Sequence, residues 1–221
     1  MPDSNVIEIF SDVVCPWCFV GKRRVERALA LIGCSDLQLR WRAFDLHPGT
    51  PKEGFGWEEH MVRKFGSSAY ARRLEANVAA AAREDGITLR FDKIQRLPNT
   101  LDAHRLIWFS LKQGLQAQVV DGIYVAYFCD GHDVGNREEL IRIGSAAGLK
   151  EKDVSALLAG DEGTEEVISE QHSAYALGIQ GVPSFLLNGQ PLTSGAQPPE
   201  ALARLINGGL QQCSRNDANC L

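Results

Sequence analysis

The chain has 221 residues, 44% of them hydrophobic and 23% charged, with a formal net charge of −5. These proportions describe an ordinary soluble globular protein, long enough for one enlarged domain or two small ones with ample core. They exclude the basic stripe of a nucleic-acid-binding protein, and no apolar run approaches the length of a membrane span.

In chain order, the N-terminal Met1-Pro2-Asp3-Ser4-Asn5 is polar and acidic rather than basic and then apolar, so no secretory leader is read and the default compartment is the cytosol. Residues 6–11 form a short β-branched run ending in Ser11-Asp12, which predicts a buried strand. Residues 16–32 carry Phe19, Val20, Val25, Ala28, Leu29 and Ile32 broadly at helical spacing, and Gly33 is the expected C-cap. In Leu37–Phe44, apolar residues alternate with Gln38, Arg40 and Arg42, the period of a strand. The opening is therefore β-α-β, with parallel strands expected.

Residues 45–57, rich in Pro and Gly, predict a long loop. From about 58 to 177 only helical patterns are visible, with no convincing strand. Tyr70, Leu74, Val78 and Ala81 mark one helix, and residues 87–98 read as irregular. Asn99 is placed to cap the next helix, and a further one carries Val119 to Phe128. Shorter helices are expected near 137–147, 151–159 and 164–177. Strand character returns in Gly181–Leu192, where Asn188-Gly189 between apolar runs is a strong hairpin signal. A final helix starts near Pro199 and reaches about Asn207, followed by a polar, loose tail. Removing the helical stretch leaves β-α-β-β-β-α. That is an α/β thioredoxin fold, built from residues 1–48 and 178–221, with a helical domain of residues 49–177 inserted in its middle.

The chemistry concentrates in Cys15-Pro16-Trp17-Cys18, where a strand gives way to a helix. The unsatisfied N–H groups and dipole of a helix N-terminus favour an anion, and a thiolate is the anion on offer. Pro16 suits the first helical turn. Cys15 is expected at the exposed edge as the attacking sulfur and Cys18 one turn in as the resolving one. Half of a zinc site is the competing reading. The spacing speaks against it, because Cys213 and Cys220 have six residues between them and make no second pair at knuckle spacing, and a zinc-stabilised binding module stays the lesser reading. Lys22-Arg23-Arg24 reads first as a solvated helix face and second as charge near the Cys15 sulfur. Asp12 either ends the strand or accepts protons beside the sulfur pair, and His104 reads as packing beneath its helix. Cys34 and Cys129 read as lone buried thiols. On one helix Cys213 and Cys220 would lie about 10 Å apart, too far to bond, whereas a looped tail could close them. They are therefore either a terminal staple or a second redox pair.

Three stretches carry a resemblance: Ser11-Asp12-Val13-Val14-Cys15-Pro16-Trp17-Cys18-Phe19-Val20-Gly21, Leu97-Pro98-Asn99-Thr100-Leu101-Asp102-Ala103-His104-Arg105-Leu106, and Ile179-Gln180-Gly181-Val182-Pro183-Ser184-Phe185. With them the chain resembles the DsbA-like thioredoxin-fold oxidoreductases, in the FrnE-like branch. That branch is related to the kappa-class glutathione transferases and 2-hydroxychromene-2-carboxylate isomerases. The resemblance implies thiol–disulfide exchange by a Cys-Pro-Trp-Cys dithiol and a cis peptide at Val182-Pro183 opposite it. It places Pro16, Trp17, Val182, Pro183 and Asn99 along the substrate groove. It implies no metal and no cofactor beyond glutathione as a co-substrate. Protein or small thiol and disulfide substrates and a redox recycling partner are expected, and a homodimer stays open. The related branch typically has serine at the position of Cys15, so the presence of both cysteines here argues for dithiol exchange; a cysteine can also form a mixed disulfide with glutathione, and a glutathione-dependent isomerase or transferase is the alternative reading.

Overall fold

The computed structural model of the protein describes residues 5–33 and 37–218, with the side chains of 212–218 left aside. Strand β1 (Val6–Ser11) runs parallel to β2 (Gln38–Ala43), in a register that sets Ile9 against Trp41. Helix α1 (Pro16–Ile32) joins them, and Gly33 ends it in the left-handed region at φ 67°. On the other side β1 pairs antiparallel with β5 (Ser184–Leu187), and β5 with β6 (Gln190–Ser194) through the Asn188-Gly189 turn. Both turn residues have positive φ, as the tight hairpin requires. The sheet order is β2-β1-β5-β6, so β1, the strand leading to the cysteines, lies inside it. This is the thioredoxin arrangement expected from the sequence, with parallel first strands.

Between β2 and β5 the chain forms α2 (Trp57–Phe65), α3 (Ser68–Glu84), α4 (Leu101–Leu111), α5 (Gln116–Val125), α6 (Arg137–Ala146), α7 (Glu151–Ala159) and α8 (Thr164–Ala176). The expected absence of strands here needs correction. Phe55–Gly56 (β3) and Arg96–Leu97 (β4) form a two-stranded ribbon that ties the loop after β2 to the segment before α4. Two residues per strand cannot show a period of two, so the ribbon leaves no pattern in the sequence. The helix carrying Val119 to Phe128 is also not uniform. It passes from α5 into a π-helical turn, Ala126–Asp130. On α3, Tyr70 is 43% exposed, whereas Ala71, Val78 and Ala82 are buried. The last helix, α9, runs Pro199–Ala218, well past the expected end.

A single buried cluster runs from Ile7 and Ile9 through Phe19 and Trp41 to Leu106, Tyr124, Leu140 and Val154. Phe19, on the first turn of α1, stacks on Tyr124 at 5.1 Å and reaches Phe128 at 6.3 Å. Gln116 is buried and bonds both backbone groups of Trp41, donating to its oxygen and accepting from its nitrogen, which fastens α5 to β2. Lys22-Arg23-Arg24 proves to be part of this joint rather than a solvated face. Lys22 is 3% exposed and pairs with Glu26 and with Asp121 of α5, Arg23 also reaches Asp121, and Arg24 pairs with Asp85. Burying such a side chain is tolerable only with partners of this kind. Among the described residues no helix is long and apolar enough to cross a membrane.

Candidate active site

Cys15 is the N-cap of α1, with extended backbone (φ −95°, ψ 110°) and Pro16 at the first helical position. The Cys15 N–H donates to the Asp12 carbonyl at 3.1 Å, and the Cys15 carbonyl accepts from Cys18 N at 3.0 Å. The turn from strand to helix is thus closed by backbone bonds, and the free N–H groups of the first helical turn lie beside the first sulfur. Both thiols are free. Cys15 is nevertheless not at an exposed edge. It is only 6% accessible, against 2% for Cys18, because the loop before β5 and the helical segment cover it. Trp17 is the exposed member of the motif at 40%, and Pro16 is half-buried.

The Val182-Pro183 peptide is cis. It lies opposite the motif, with the Cys15 sulfur 3.7 Å from the Val182 carbonyl oxygen, to which the thiol can donate. Gly21 gives this loop its room: a Cβ there would come within 2.8 Å of the Pro183 ring. Beneath, burial raises the Cys18 thiol well above its ordinary pKa, and a hydrogen bond with the Cys15 sulfur raises it further. Burial therefore keeps the inner sulfur protonated.

Beside Cys15 opens a cavity of about 380 Å³ lined largely by apolar side chains, among them Val14, Leu46, Trp57, Met61 and Phe65. Its polar lining comes from the loop after β2 and α2, with His47, His60 and Lys64, and from α3, with Glu75 and Asn77. Lys64 Nζ lies 3.4 Å from His47 Nε2, and the His47 and His60 rings meet edge-on at 4.6 Å. Burial, then the Lys64 charge, lowers the pKa of His47 to about 4, and the same two causes lower that of His60. Both rings are therefore neutral near pH 7. Partial burial also lowers the Lys64 pKa, while Cys15 and Asp12 work against that fall. The sequence reading missed this trio. The one signal available was that His60 and Lys64 stand four residues apart on one helix face.

The structure brings Cys15, Cys18, Val182 and Pro183 together, with Pro16 and Trp17 at the mouth. Asn99 lies apart from the cavity lining. Its amide nitrogen donates to the Thr50 carbonyl and its oxygen accepts from Leu101 N, while Thr100 occupies the N-cap position of α4. His104 is buried as expected, at 2% exposure, but faces a buried carboxylate, that of Asp12. Cys129 is a free, half-buried thiol rather than a fully buried one. Cys34, Cys220 and the side chain of Cys213 lie outside the described residues. Among the described residues no cluster of three or more His, Cys, Asp or Glu side chains could hold a metal.

The model of the DSBA-like thioredoxin domain matches residues 6–207, and the chain belongs to that family of thiol–disulfide oxidoreductases. It is 32% identical to a probable DsbA oxidoreductase from Streptomyces coelicolor, whose crystal structure superposes with a TM-score of 0.86 over 94% of this chain and 90% of that one. It is 22% identical over 204 residues to YwbO of Bacillus subtilis (strain 168), covering 91% of this chain and 95% of YwbO. A solved structure of 2-hydroxychromene-2-carboxylate isomerase shares the fold, with a TM-score of 0.68 and 16% identity over 98% of this chain and 99% of that one.

Proposed function

We propose that the protein exchanges thiols and disulfides through Cys15 and Cys18. One observation carries the reading: Cys15 caps α1 with its sulfur against the Val182 carbonyl, while Cys18 is held protonated beneath it. The Cys15 thiolate attacks a substrate disulfide and forms a mixed disulfide, releasing one substrate sulfur as a thiolate. Cys18 then loses its proton and attacks the Cys15 sulfur, and the second substrate sulfur departs with the bonding electrons. The reverse sequence places a disulfide in a dithiol substrate. The cycle draws on the two sulfurs and the substrate alone. A redox partner or a low-molecular-weight thiol such as glutathione resets the pair between turnovers.

Val182 and Pro183 hold the substrate backbone beside Cys15 in the manner of an added strand, and Trp17 supplies an apolar contact at the rim. The test is a Cys18→Ser variant offered a disulfide substrate. The expected product is a stable adduct on Cys15, seen by mass spectrometry and released by reductant. Continued turnover without an adduct would assign the site instead to a glutathione-dependent isomerase or transferase.

A further inference from the structure

The proposed exchange leaves open which substrates reach Cys15, and the inference here rests on that exchange. A second cavity, of about 510 Å³, adjoins the one beside the sulfur. Four side chains line both: Trp57, Met61, Glu75 and Phe91. They form the wall between an inner chamber that holds Cys15 and an outer one that does not. The inner chamber is largely apolar, whereas the outer one carries the charged side chains of Glu58, Arg72 and Asp92. Small-molecule sites span about 300–1,000 Å³. The inner chamber, about 380 Å³, stands near the bottom of that range, and the two chambers joined would stand near its top.

Of the four, Trp57 is the one most firmly held. It opens α2 directly after Gly56 of β3, and its N–H donates to the Gln95 carbonyl at 2.9 Å, just before β4. The ribbon that left no pattern in the sequence thus fixes the Trp57 backbone. Its ring stacks on Phe91 at 6.3 Å, with 11° between the planes, and meets Tyr127 edge-on at 6.5 Å. The indole N–H donates to Glu75 Oε1 of α3 at 3.2 Å, which satisfies the one polar group of the ring and latches α2 to α3. Turning the ring aside would break both the stacking and the latch. Met61, by contrast, is an unbranched side chain that can yield to a ligand.

We infer that Trp57, latched by Glu75, sets the size of the substrate arm accepted beside Cys15: a compact apolar group, the size of a single ring, borne on a disulfide sulfur. The Cys15 thiolate bonds to the sulfur that carries this arm, the substrate S–S bond breaks, and its electron pair leaves with the other sulfur. The arm then occupies the inner chamber until Cys18 displaces it as a thiolate, which takes a proton from water. The two cysteines end oxidised and the substrate disulfide ends as two thiols. A longer rigid arm meets the indole and keeps its far end in water, so the extra apolar surface contributes nothing. Without the indole, that far end passes into the outer chamber and is buried there.

The experiment uses the full-length reduced protein and two pyridyl disulfides, one with a benzyl arm and one with a para-phenylbenzyl arm. Pyridine thiolate is the better leaving group, so attack falls on the sulfur of the arm and each attack releases one chromophore. The quantity read is the second-order rate constant for the two-ring arm over that for the one-ring arm, each normalised to its reaction with a small thiol in solution. In wild type this ratio is at or below one. In Trp57→Ala it rises about tenfold, the lower end of what burying one further ring gives. Glu75→Ala, which cuts the latch but keeps the ring, raises it by about threefold, and Glu75→Gln, which keeps an acceptor oxygen, follows wild type. The Glu75 pair decides the matter if Trp57→Ala does not fold. A two-ring arm already favoured tenfold by wild type, or a wild-type ratio in both Trp57→Ala and Glu75→Ala, would overturn the inference while leaving dithiol exchange intact. Chromophore release at the wild-type rate by Cys15→Ser would instead overturn the exchange reading itself.

Discussion

On the sheet side of the cavity, the groups that hold Cys15 are backbone: the Val182 carbonyl against its sulfur, the Asp12 carbonyl on its N–H and the N-terminus of α1. On the helical side the polar groups lining the cavity are side chains, among them those of His47, His60 and Lys64. Backbone placed by strand register tolerates almost any sequence of adequate packing, so that side fixes the reaction. Side chains on α2 and its approach can be exchanged without moving the sulfurs, so that side is where substrate preference can vary. The two sides are nonetheless one solid, because Phe19 stacks on Tyr124 and Lys22 pairs with Asp121 across the joint.

The contrast sets an order of expected effects. Cys15→Ser should lower disulfide exchange by about a thousandfold or more, since a hydroxyl is a far weaker nucleophile than a thiolate at neutral pH. Residual exchange near the wild-type rate in an insulin-type reduction assay would remove Cys15 from the chemistry. Gly21→Ala, on the same side, should cost about 1–3 kcal/mol of stability, because its Cβ would overlap the Pro183 ring. Urea unfolding reads this directly, and an unchanged midpoint would show that the loop yields freely.

Helical-side changes should be smaller and selective. Lys64→Met should reduce the rate of Cys15 alkylation by iodoacetate relative to neutral iodoacetamide by about threefold, the scale of one partly screened charge. An unchanged ratio would mean that the ammonium does not act at the sulfur. A further effect concerns pH. His47 titrates at about 4 in the folded protein, below its ordinary value of 6.5, so the unfolded chain binds the extra proton first. Stability associated with His47 is thus complete above about pH 6.5 and is lost as pH falls toward about 4. His47→Gln should flatten that part of the stability–pH curve. The raised pKa values of Asp45 and Glu170 slope the other way, so the difference between variant and wild type is the quantity to measure in buffered urea titrations.

The sheet side was legible in the sequence because its determinants are local. β-branched runs, an Asn-Gly turn and a strand-to-helix Cys-Pro-Trp-Cys each declare themselves within a dozen residues. The helical side was not. A lysine on an amphipathic helix reads as solvated wherever it stands, and only the fold turns Lys64 into a cavity and Lys22 away from solvent. The same limit hid the burial of Cys15, which depends on segments far along the chain. The Asp12–His104 approach joins residues 92 positions apart by their numbering, and no local pattern links them.

The pairing of Ile7 with Leu187 also bears on how the protein is made. The parallel β1–β2 pair can form early in translation, but the opposite flank of β1 stays bare until β5 leaves the ribosome. At about 5–20 residues per second that interval lasts on the order of 10–40 s. Throughout it the nascent chain carries two thiols with neither Val182 nor the completed core to shield them. Premature oxidation or capture by another disulfide is therefore a hazard of synthesis, and it ends when the last two strands of the sheet dock.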